Sequence, residues 1–485
     1  MAISLYTVPL VLDALGKSDF GLYGLIAGVI SMLSFMNASM TISTQRYLSV
    51  TMGEGNDIKL LEVYNISLIL HILLAFIIAV STELLIPWLT DYLNIDEGRL
   101  DTATLLFHFL VVNMVFTVLT VPFDAILNAY ENMLAFSIFG IIESVLRLSV
   151  ALLLPYVAYD CLGFYGLALT IVTFVILTSK WIYTRKKYTK LYPDKDACRN
   201  HTLFKEMFSY AGWNALAALA MVGRSQGINI VLNRFFDTVM NAAYNVANNV
   251  NGVLSYFSST IQKSVNPQLM QSEGSKERSR LITMSYGLTK FSILSLGVIA
   301  LPLIVEMPYI LKLWLSEVPR YTIEFTRAII TLALIMQAST GLMSAIQSTG
   351  KIKWYTITIC IILLSTIPLS HLALSVGLSP SWAIWAACIT EVIAITARLL
   401  FARKLVGVFI YDYIGKTILP PMVLIILTGL LLFGITQVMP SSFIRLLIVG
   451  FSDVIIFGFL SYRYVLSEGE RQVILKIVMK LCSRK

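Results

Sequence analysis

Two opposite charges lie four residues apart in a stretch that is otherwise almost wholly apolar. In "IIESVLRLSVALLL", residues 141–154, Glu143 and Arg147 occupy positions i and i+4. In a helix these side chains lie one turn apart on one face, where each partly neutralises the other. The spacing therefore fits two roles, a structural intrahelical ion pair or a charged group that faces a substrate.

A further arginine has no such local partner. Arg224, in "AMVGRSQGINIVL" (220–232), has no acidic residue within one helical turn. Inserting an arginine at the centre of a membrane helix costs roughly 2.5–3.5 kcal/mol. Its counter-charge must come from another helix, from water or from a ligand. The structural alternative is a set of backbone carbonyls at a kink near Gly223 and Gly227.

Amide side chains form a stripe in "NAAYNVANNVNGVLSYFSSTIQKSVNP" (241–267). Asn241, Asn245, Asn248 and Asn249 recur at i, i+4, i+7 and i+8, a helical face that lipid cannot solvate. Amides both donate and accept hydrogen bonds, which suits the hydroxyls of a sugar. Hydrogen bonding between helices explains the stripe equally well.

These residues together predict a positively charged, hydrated cavity between two lobes. Arg46, Arg147, Arg224 and Lys263 would bind an anionic group, and Gln45, Glu143, Asn241, Asn245, Asn248 and Asn249 would line the cavity. The inner ends of two spans supply Gln45–Arg46 and Gln262–Lys263, which we treat as repeat counterparts. A pyrophosphate suits such a site because its oxygens match the planar donor fork of arginine.

Catalytic signatures are missing from the sequence. "QSTGKIK" (347–353) lacks the upstream glycine and the Ser or Thr of a P-loop. The four histidines are isolated, and no nucleophile stands at a recognisable spacing from a base. We expect no enzyme activity, no cofactor and no metal site.

Composition identifies the elements that must position these side chains. Of 485 residues, 57% are hydrophobic and 13% are charged, whereas soluble domains carry about 25% charged residues. Apolar runs long enough to cross a bilayer recur along the chain. We predict an all-α polytopic membrane protein with about fourteen spans, near 2–15, 19–41, 62–89, 103–123, 134–155, 162–183, 207–232, 239–261, 282–309, 323–346, 354–375, 381–402, 415–437 and 444–465.

The first predicted span is short. From Met1 to Leu15 it would extend about 21 Å, less than the bilayer core, which predicts a truncated first helix. A cleaved signal peptide is the competing interpretation, but the positively charged n-region and the small-residue cleavage site are missing.

Lysine and arginine predict the orientation. With the first helix running outward, 27 of these residues fall on the inner side and 7 in outer loops, so both termini are predicted to be cytoplasmic. This distribution explains most of the net charge of +8 without a nucleic-acid partner.

An internal repeat and one long basic connection divide the chain. "LSFMNASMTISTQRYLS" (33–49) matches "LSYFSSTIQKSVNPQLM" (254–270) in pattern, which indicates a parallel repeat that relates residue 33 to residue 254. We predict two pseudo-symmetric six-helix lobes and two C-terminal helices. The domain limits are an N-lobe at 1–183, a cytoplasmic linker at 184–206, a C-lobe at 207–402, spans thirteen and fourteen at 403–466, and an amphipathic cytoplasmic tail at 467–485.

The tail begins with a capping box, Ser467 to Glu470, and carries one apolar and one basic face. We interpret it as an interfacial helix on the inner leaflet. A frayed, solvated tail is the alternative.

The segment "VPLVLDALGKSDFGLYGLIAGVISMLSFMNASMTISTQRYLS" (8–49) resembles the first two helices of Wzx-type O-antigen and polysaccharide-unit flippases, within the multidrug/oligosaccharidyl-lipid/polysaccharide exporter superfamily. The resemblance implies two six-helix lobes forming a V, alternating access coupled to an ion gradient or membrane potential, and a bacterial inner-membrane location. It also implies flipping of an undecaprenyl-pyrophosphate-linked oligosaccharide. Membrane lipids, a polysaccharide polymerase and a chain-length regulator are the further expected partners.

Two other functions compete. A cation-coupled multidrug exporter of the same superfamily would need buried carboxylates, and Glu143, Glu306 and Glu391 are available. A membrane polymerase or ligase of lipid-linked sugars would need a large external loop. The longest predicted outer connection, near 90–102, has only about a dozen residues, which counts against that interpretation.

Overall fold

A computed structural model describes residues 2–31, 34–92, 97–157, 160–194, 197–236, 238–315 and 317–472. Within these ranges the regular elements are helical. The α-helices are α1 Ala2–Ser31, α2 Ser34–Glu54, α3 Asp57–Tyr92, α4 Leu100–Ala129, α5 Met133–Leu153, α6 Cys161–Lys187, α7 His201–Phe235, α8 Thr238–Gly274, α9 Arg278–Trp314, α10 Thr322–Gln337, α11 Thr340–Thr349, α12 Lys353–Leu364, α13 Thr366–Ser375, α14 Trp382–Leu405, α15 Ile410–Tyr413, α16 Leu419–Val438 and α17 Phe443–Leu460. The predicted all-α membrane fold is confirmed.

The number of spans in the described residues is lower than predicted. Ten helices are long and apolar enough to cross a membrane, and α10 with α11, bent by 47°, makes an eleventh. The remaining predicted spans lie on α1, α2 and α8. Helix α8 carries the asparagine stripe, which lowers its hydropathy. The count of fourteen stays a prediction.

Several helices extend well beyond the apolar runs that predicted them. Helices α3, α7, α8 and α9 have 36, 35, 37 and 37 residues. At 1.5 Å per residue each is longer than about 50 Å, whereas the hydrocarbon core is about 30 Å thick. Hydropathy finds only the lipid-facing part of such a helix. For this reason the predicted end of span two at residue 41 is wrong, since α2 continues to Glu54.

The internal repeat extends through six spans. Helices α3 and α9 begin at Asp57 and Arg278, and α6 and α14 begin at Cys161 and Trp382. Both pairs of helix starts are separated by the same length of sequence as the two matching segments. This offset also relates α4 to the broken pair α10–α11 and α5 to α12–α13, each to within one position. The predicted repeat is therefore confirmed, and α16 and α17 lie beyond it.

The chain divides into two compact units. The first contains Met1–Ala218 and Met270–Lys276, and the second contains Leu219–Leu269 and Glu277–Lys485. The division falls inside α7 and α8, away from the basic connection. The predicted lobe limits stay predictions.

Within the first unit, two repeat-related glycines make a symmetric helix crossing. A Cβ on Gly53 would overlap the backbone oxygen of Gln271, and a Cβ on Gly274 would overlap the backbone oxygen of Val50. The offset of the repeat relates Gly53 to Gly274 and Val50 to Gln271. The ends of α2 and α8 therefore touch backbone to backbone about a local two-fold relation, which only glycine permits at these positions.

Within the second unit, α9 packs against α10, α11, α16 and α17, while α14 packs against α10, α11, α12 and α13. The predicted capping box begins the C-terminal segment. Glu470 accepts from the Ser467 N–H at 2.7 Å, and the Glu470 N–H donates to the Ser467 hydroxyl at 3.4 Å. The apolar and basic faces predicted beyond residue 472 lie outside the described residues.

Candidate functional site

Three charged side chains form a buried cluster in the second unit. Glu391 on α14 accepts from Arg224 on α7 at 2.8 Å and from Arg398, two turns along α14, at 2.5 Å. Their exposed fractions are 1%, 7% and 3%. Arg224 is therefore not a bare charge, and the kink-carbonyl alternative is also wrong. Its counter-charge comes from another helix, and the cluster keeps one positive charge in excess.

The cluster lies at a break in a membrane helix. The chain bends between α10 and α11, and Arg398 donates to the Ser339 hydroxyl there at 3.0 Å. The Tyr413 hydroxyl donates to the carbonyl of Ala338 at 2.9 Å, and the Gly341 N–H donates to the Thr289 hydroxyl at 2.9 Å. Side chains from three other helices thus satisfy polar groups that the break exposes. Broken helices of this kind occur in membrane transporters where they line functional sites.

Asn241, at the start of α8, connects α8 to α7. Its side-chain nitrogen donates to the carbonyl oxygen of Asn229 at 3.0 Å, and its side-chain oxygen accepts from Asn233 at 3.2 Å. For Asn241, the helix–helix interpretation is correct.

Polar side chains further along α8 form an exposed face. Asn245, Asn249, Tyr256 and Lys263 are exposed, and Ser259 is partly exposed. At 100° per residue these positions and Gly252 fall within roughly 80° of arc. Asn248 is partly buried beside this face. We call the set Asn245, Asn249, Gly252, Tyr256, Ser259 and Lys263 the α8 face. Its amides are unsuited to lipid.

In the first unit, Gln45 and Arg46 are each 8% exposed. The guanidinium of Arg46 lies 4.5 Å from the ring centroid of Tyr47 and 5.1 Å from that of Tyr210. The two aromatic rings therefore cover the Arg46 cation, and the predicted role of Arg46 in binding an anion stays a prediction. The treatment of Gln45 and Arg46 as repeat counterparts of Gln262 and Lys263 is wrong, since the offset of the repeat relates them to Asn266 and Pro267.

The Glu143–Arg147 pair is present on α5. Arg147 donates to one carboxylate oxygen from Nε at 3.0 Å and from an Nη at 2.9 Å. Both side chains are about a third exposed or more, at 34% for Glu143 and 39% for Arg147. Helix α5 packs against α1 and α6.

The four predicted cations are divided between the units, with Arg46 and Arg147 in the first and Arg224 and Lys263 in the second. A single cavity formed by all four stays a prediction. In the described part of the chain, no group of three His, Cys, Asp or Glu residues could hold a metal ion.

Two buried arginines that the sequence did not single out lie inside predicted spans. Arg398 is in the cluster, and Arg445 donates to Glu306 at 2.8 Å. A usable signal existed for one of them. Glu391 and Arg398 are separated by two helical turns and so lie on one helical face.

The first 273 residues, more than half the chain, match the family model described as "Polysaccharide biosynthesis protein". No curated protein matches the chain.

The fold is similar to that of several solved transporters. One is an outward-facing multidrug resistance MATE family transporter of the MOP superfamily, with 14% identity, a TM-score of 0.74, and coverage of 84% of this chain and 92% of that one. Another is a MOP superfamily transporter from Pyrococcus furiosus whose binding pocket has reversed polarity, with 12% identity, a TM-score of 0.73, and coverage of 84% and 93%. A third is the Vibrio cholerae MATE transporter VcmN in its bent form, with 14% identity, a TM-score of 0.71, and coverage of 84% and 93%. The chain belongs to the polysaccharide biosynthesis protein family and has the fold of MATE transporters.

Proposed function

We propose that the protein is a flippase. It carries an undecaprenyl-pyrophosphate-linked oligosaccharide, the repeat unit of an O-antigen or another surface polysaccharide, from the inner to the outer leaflet of the bacterial inner membrane. The α8 face is the observation that carries this proposal, because its exposed amides offer hydrogen-bond donors and acceptors along one side of the helix.

The length and charge of the α8 face suit an oligosaccharide with an anionic group. From Asn245 to Lys263 the face extends roughly 27 Å along the helix. Several hydroxyl-bearing sugars could follow one another along it. Lys263 at one end adds a positive charge, and the buried cluster of Arg224, Glu391 and Arg398 has a further positive charge in excess. Both favour an anion over a cationic drug.

The three glutamates that a multidrug exporter could use also favour this assignment. Glu391 and Glu306 are each paired with arginine, as is the partly exposed Glu143. A cationic substrate would have to displace a guanidinium from each of them. The polymerase and the chain-length regulator remain proposed partners.

Purified protein in lipid vesicles provides the test. Vesicles contain a fluorescent lipid-linked oligosaccharide, and a membrane-impermeant lectin reports the fraction that has crossed the bilayer. We expect rapid transfer with the wild type and at least a tenfold slower rate with the double variant Asn245→Leu, Asn249→Leu. Ser264→Ala is the matched control, because Ser264 is exposed on α8 about 100° away from the face.

Two results would contradict the proposal. One is wild-type transfer no faster than in empty vesicles. The other is export of a cationic dye at a rate that the double variant does not change. In cells, loss of the protein should leave the lipid-linked repeat unit on the inner leaflet.

A further inference from the structure

Helix α17 buries one stripe of side chains that includes a carboxylate. Arg445, Val449, Asp453 and Phe457 recur at every fourth position and are all buried, and Ser461 continues the stripe. The stripe faces α9 and α16. A Cβ on Gly297 of α9 would lie 2.9 Å from the Phe457 ring and 3.3 Å from Ile425 of α16. Asp453 lies one turn from Phe457 and therefore points into this three-helix bundle.

The carboxylate of Asp453 has no partner among the described groups of the protein. Asp453 is 0% exposed, and neither of its oxygens accepts or donates a hydrogen bond. The hydroxyls of Thr417, Thr428 and Ser461, on α16, α17 and their π-helical turns, are also buried and unpartnered. Of the fifteen such buried side-chain atoms in the described ranges, eight belong to α9, α16, α17 and the π-helical turns Ile414–Ile418 and Ser461–Val465. Buried polar groups normally find partners, so this concentration requires an explanation.

Contacts between the three helices order these groups along the bundle. Gly297, Ile425 and Phe457 meet at one level, and Gly429 lies against Leu301 one turn further along α9. Thr417 and Ser461 fall on the predicted cytoplasmic side of that level. Thr428 and Asp453 fall within one turn on its other side. Ser461 thus lies two turns from Asp453 toward the predicted cytoplasmic end, with the level of Phe457 and Ile425 between them, and Thr428 lies at about the height of Asp453.

Charged neighbours do not neutralise Asp453. Helix α16 carries no titratable side chain, and α17 carries only Arg445 besides Asp453. The buried titratable groups of α9 are Lys290 and Glu306. Lys290 is bound to Glu470 at 3.0 Å, and Glu306 is bound to Arg445 at 2.8 Å. An unpaired carboxylate in an apolar interior is very costly when ionised, so the neutral, protonated form is the one that fits.

We propose that Asp453 is a proton-binding site inside the bundle of α9, α16 and α17. Binding forms one O–H bond on a carboxylate oxygen, and release breaks that bond and returns the proton to water, with no redox change. Because α16 and α17 lie beyond the repeat, this site has no counterpart in the first half of the chain. The proton site goes beyond the proposed function, and proton binding can be measured without any transported substrate.

Infrared difference spectroscopy of the full chain in lipid nanodiscs tests the site directly. Stepping the pH should reveal the C=O stretch of a protonated carboxyl group, and Asp453→Asn should remove that band. Asp412→Asn is the control, since Asp412 is half exposed and paired with Lys416. It should leave the band unchanged. An identical band in wild type and Asp453→Asn would overturn the proposal.

The pH profile of transfer into vesicles adds a second measurement. Asp453→Asn should give a flat profile, whereas Asp453→Glu should restore a pH-dependent one. A wild-type profile retained by the Asn variant would overturn a role in transport. If the infrared band titrates while no lipid-linked oligosaccharide is transferred, the proton site stands and the proposed substrate is wrong.

Discussion

Arg224 on α7 and Glu391 on α14 form an ion pair at 2.8 Å across 167 residues of sequence, and both side chains are almost fully buried. Arg398 binds the second oxygen of the same carboxylate. One anion therefore holds two cations next to the break between α10 and α11. The three residues differ in their number of charged partners, because Glu391 has two and Arg224 has one.

This difference predicts unequal losses of stability when either charged side chain is replaced by an uncharged amide. Glu391→Gln leaves two buried guanidiniums without a counter-charge and should destabilise the protein by about 3–5 kcal/mol. Arg224→Gln leaves Glu391 paired with Arg398 and should cost less stability, while export of surface polysaccharide is lost. Thermal unfolding in detergent measures the first effect and surface glycan the second. Equal destabilisation by the two variants, or normal glycan with Arg224→Gln, would contradict the assignment.

The Glu143–Arg147 pair allows a double-variant test. If the pair is structural, Glu143→Gln alone leaves Arg147 unpaired and should be tolerated less well than Glu143→Gln combined with Arg147→Gln. Because both side chains remain partly exposed, the difference in stability should be within about 1 kcal/mol. Equal loss of export in the single and double variants would instead assign both charges a direct role in transport.

Gly53 and Gly274 should not accept even one added methyl group. Alanine at either position would overlap a backbone oxygen of the opposite helix, which cannot move aside as a side chain can. We expect a loss of about 1–3 kcal/mol from each substitution. Gly212→Ala is the control, because a Cβ there meets nothing within 4 Å. It should be neutral or stabilising. Similar melting temperatures for all three variants would disprove the close crossing.

Glu470 predicts a pH-sensitive attachment of the C-terminal segment. Burial alone would raise the pKa of Glu470, but the Ser467 N–H and the Lys290 ammonium outweigh it and hold the pKa below its ordinary 4.5. A lowered carboxyl pKa stabilises the folded state above the unfolded value, and this contribution is lost as the pH falls through the folded one. Hydrogen-exchange protection factors at residues 467–472, measured relative to the unprotected rate at each pH, should therefore stay high down to about pH 4.5 and fall below it. Glu470→Gln should give low protection factors at every pH, and unchanged protection in that variant would contradict the contact.

Contacts within one helical turn could be predicted from the sequence, because the two residues involved are near neighbours along the chain. The Glu143–Arg147 spacing and the Ser467–Glu470 capping box each predict a contact within one helical turn, and both contacts are present. The repeat could also be predicted, since corresponding helices of the two halves are separated by the same number of residues. Composition alone was sufficient to predict a helical membrane protein.

Long-range partners were decided by the tertiary structure. Arg224 could have been matched by any of several carboxylates, and only the folded chain brings Glu391 on α14 within 2.8 Å of it. Arg398 and Arg445 stand near the ends of predicted spans, where basic residues commonly flank a membrane helix, whereas in the structure both are buried against the protein. The periodicity of α17 does not reveal that Asp453 lacks a partner, because that depends on which side chains of α9 and α16 meet it. The sequence by itself determined the helices, their repeat and their one-turn contacts, since these depend on spacing along a single helix. Which buried charges are paired, and which one is left for a proton, depends on contacts between distant helices, so only the tertiary structure decided it.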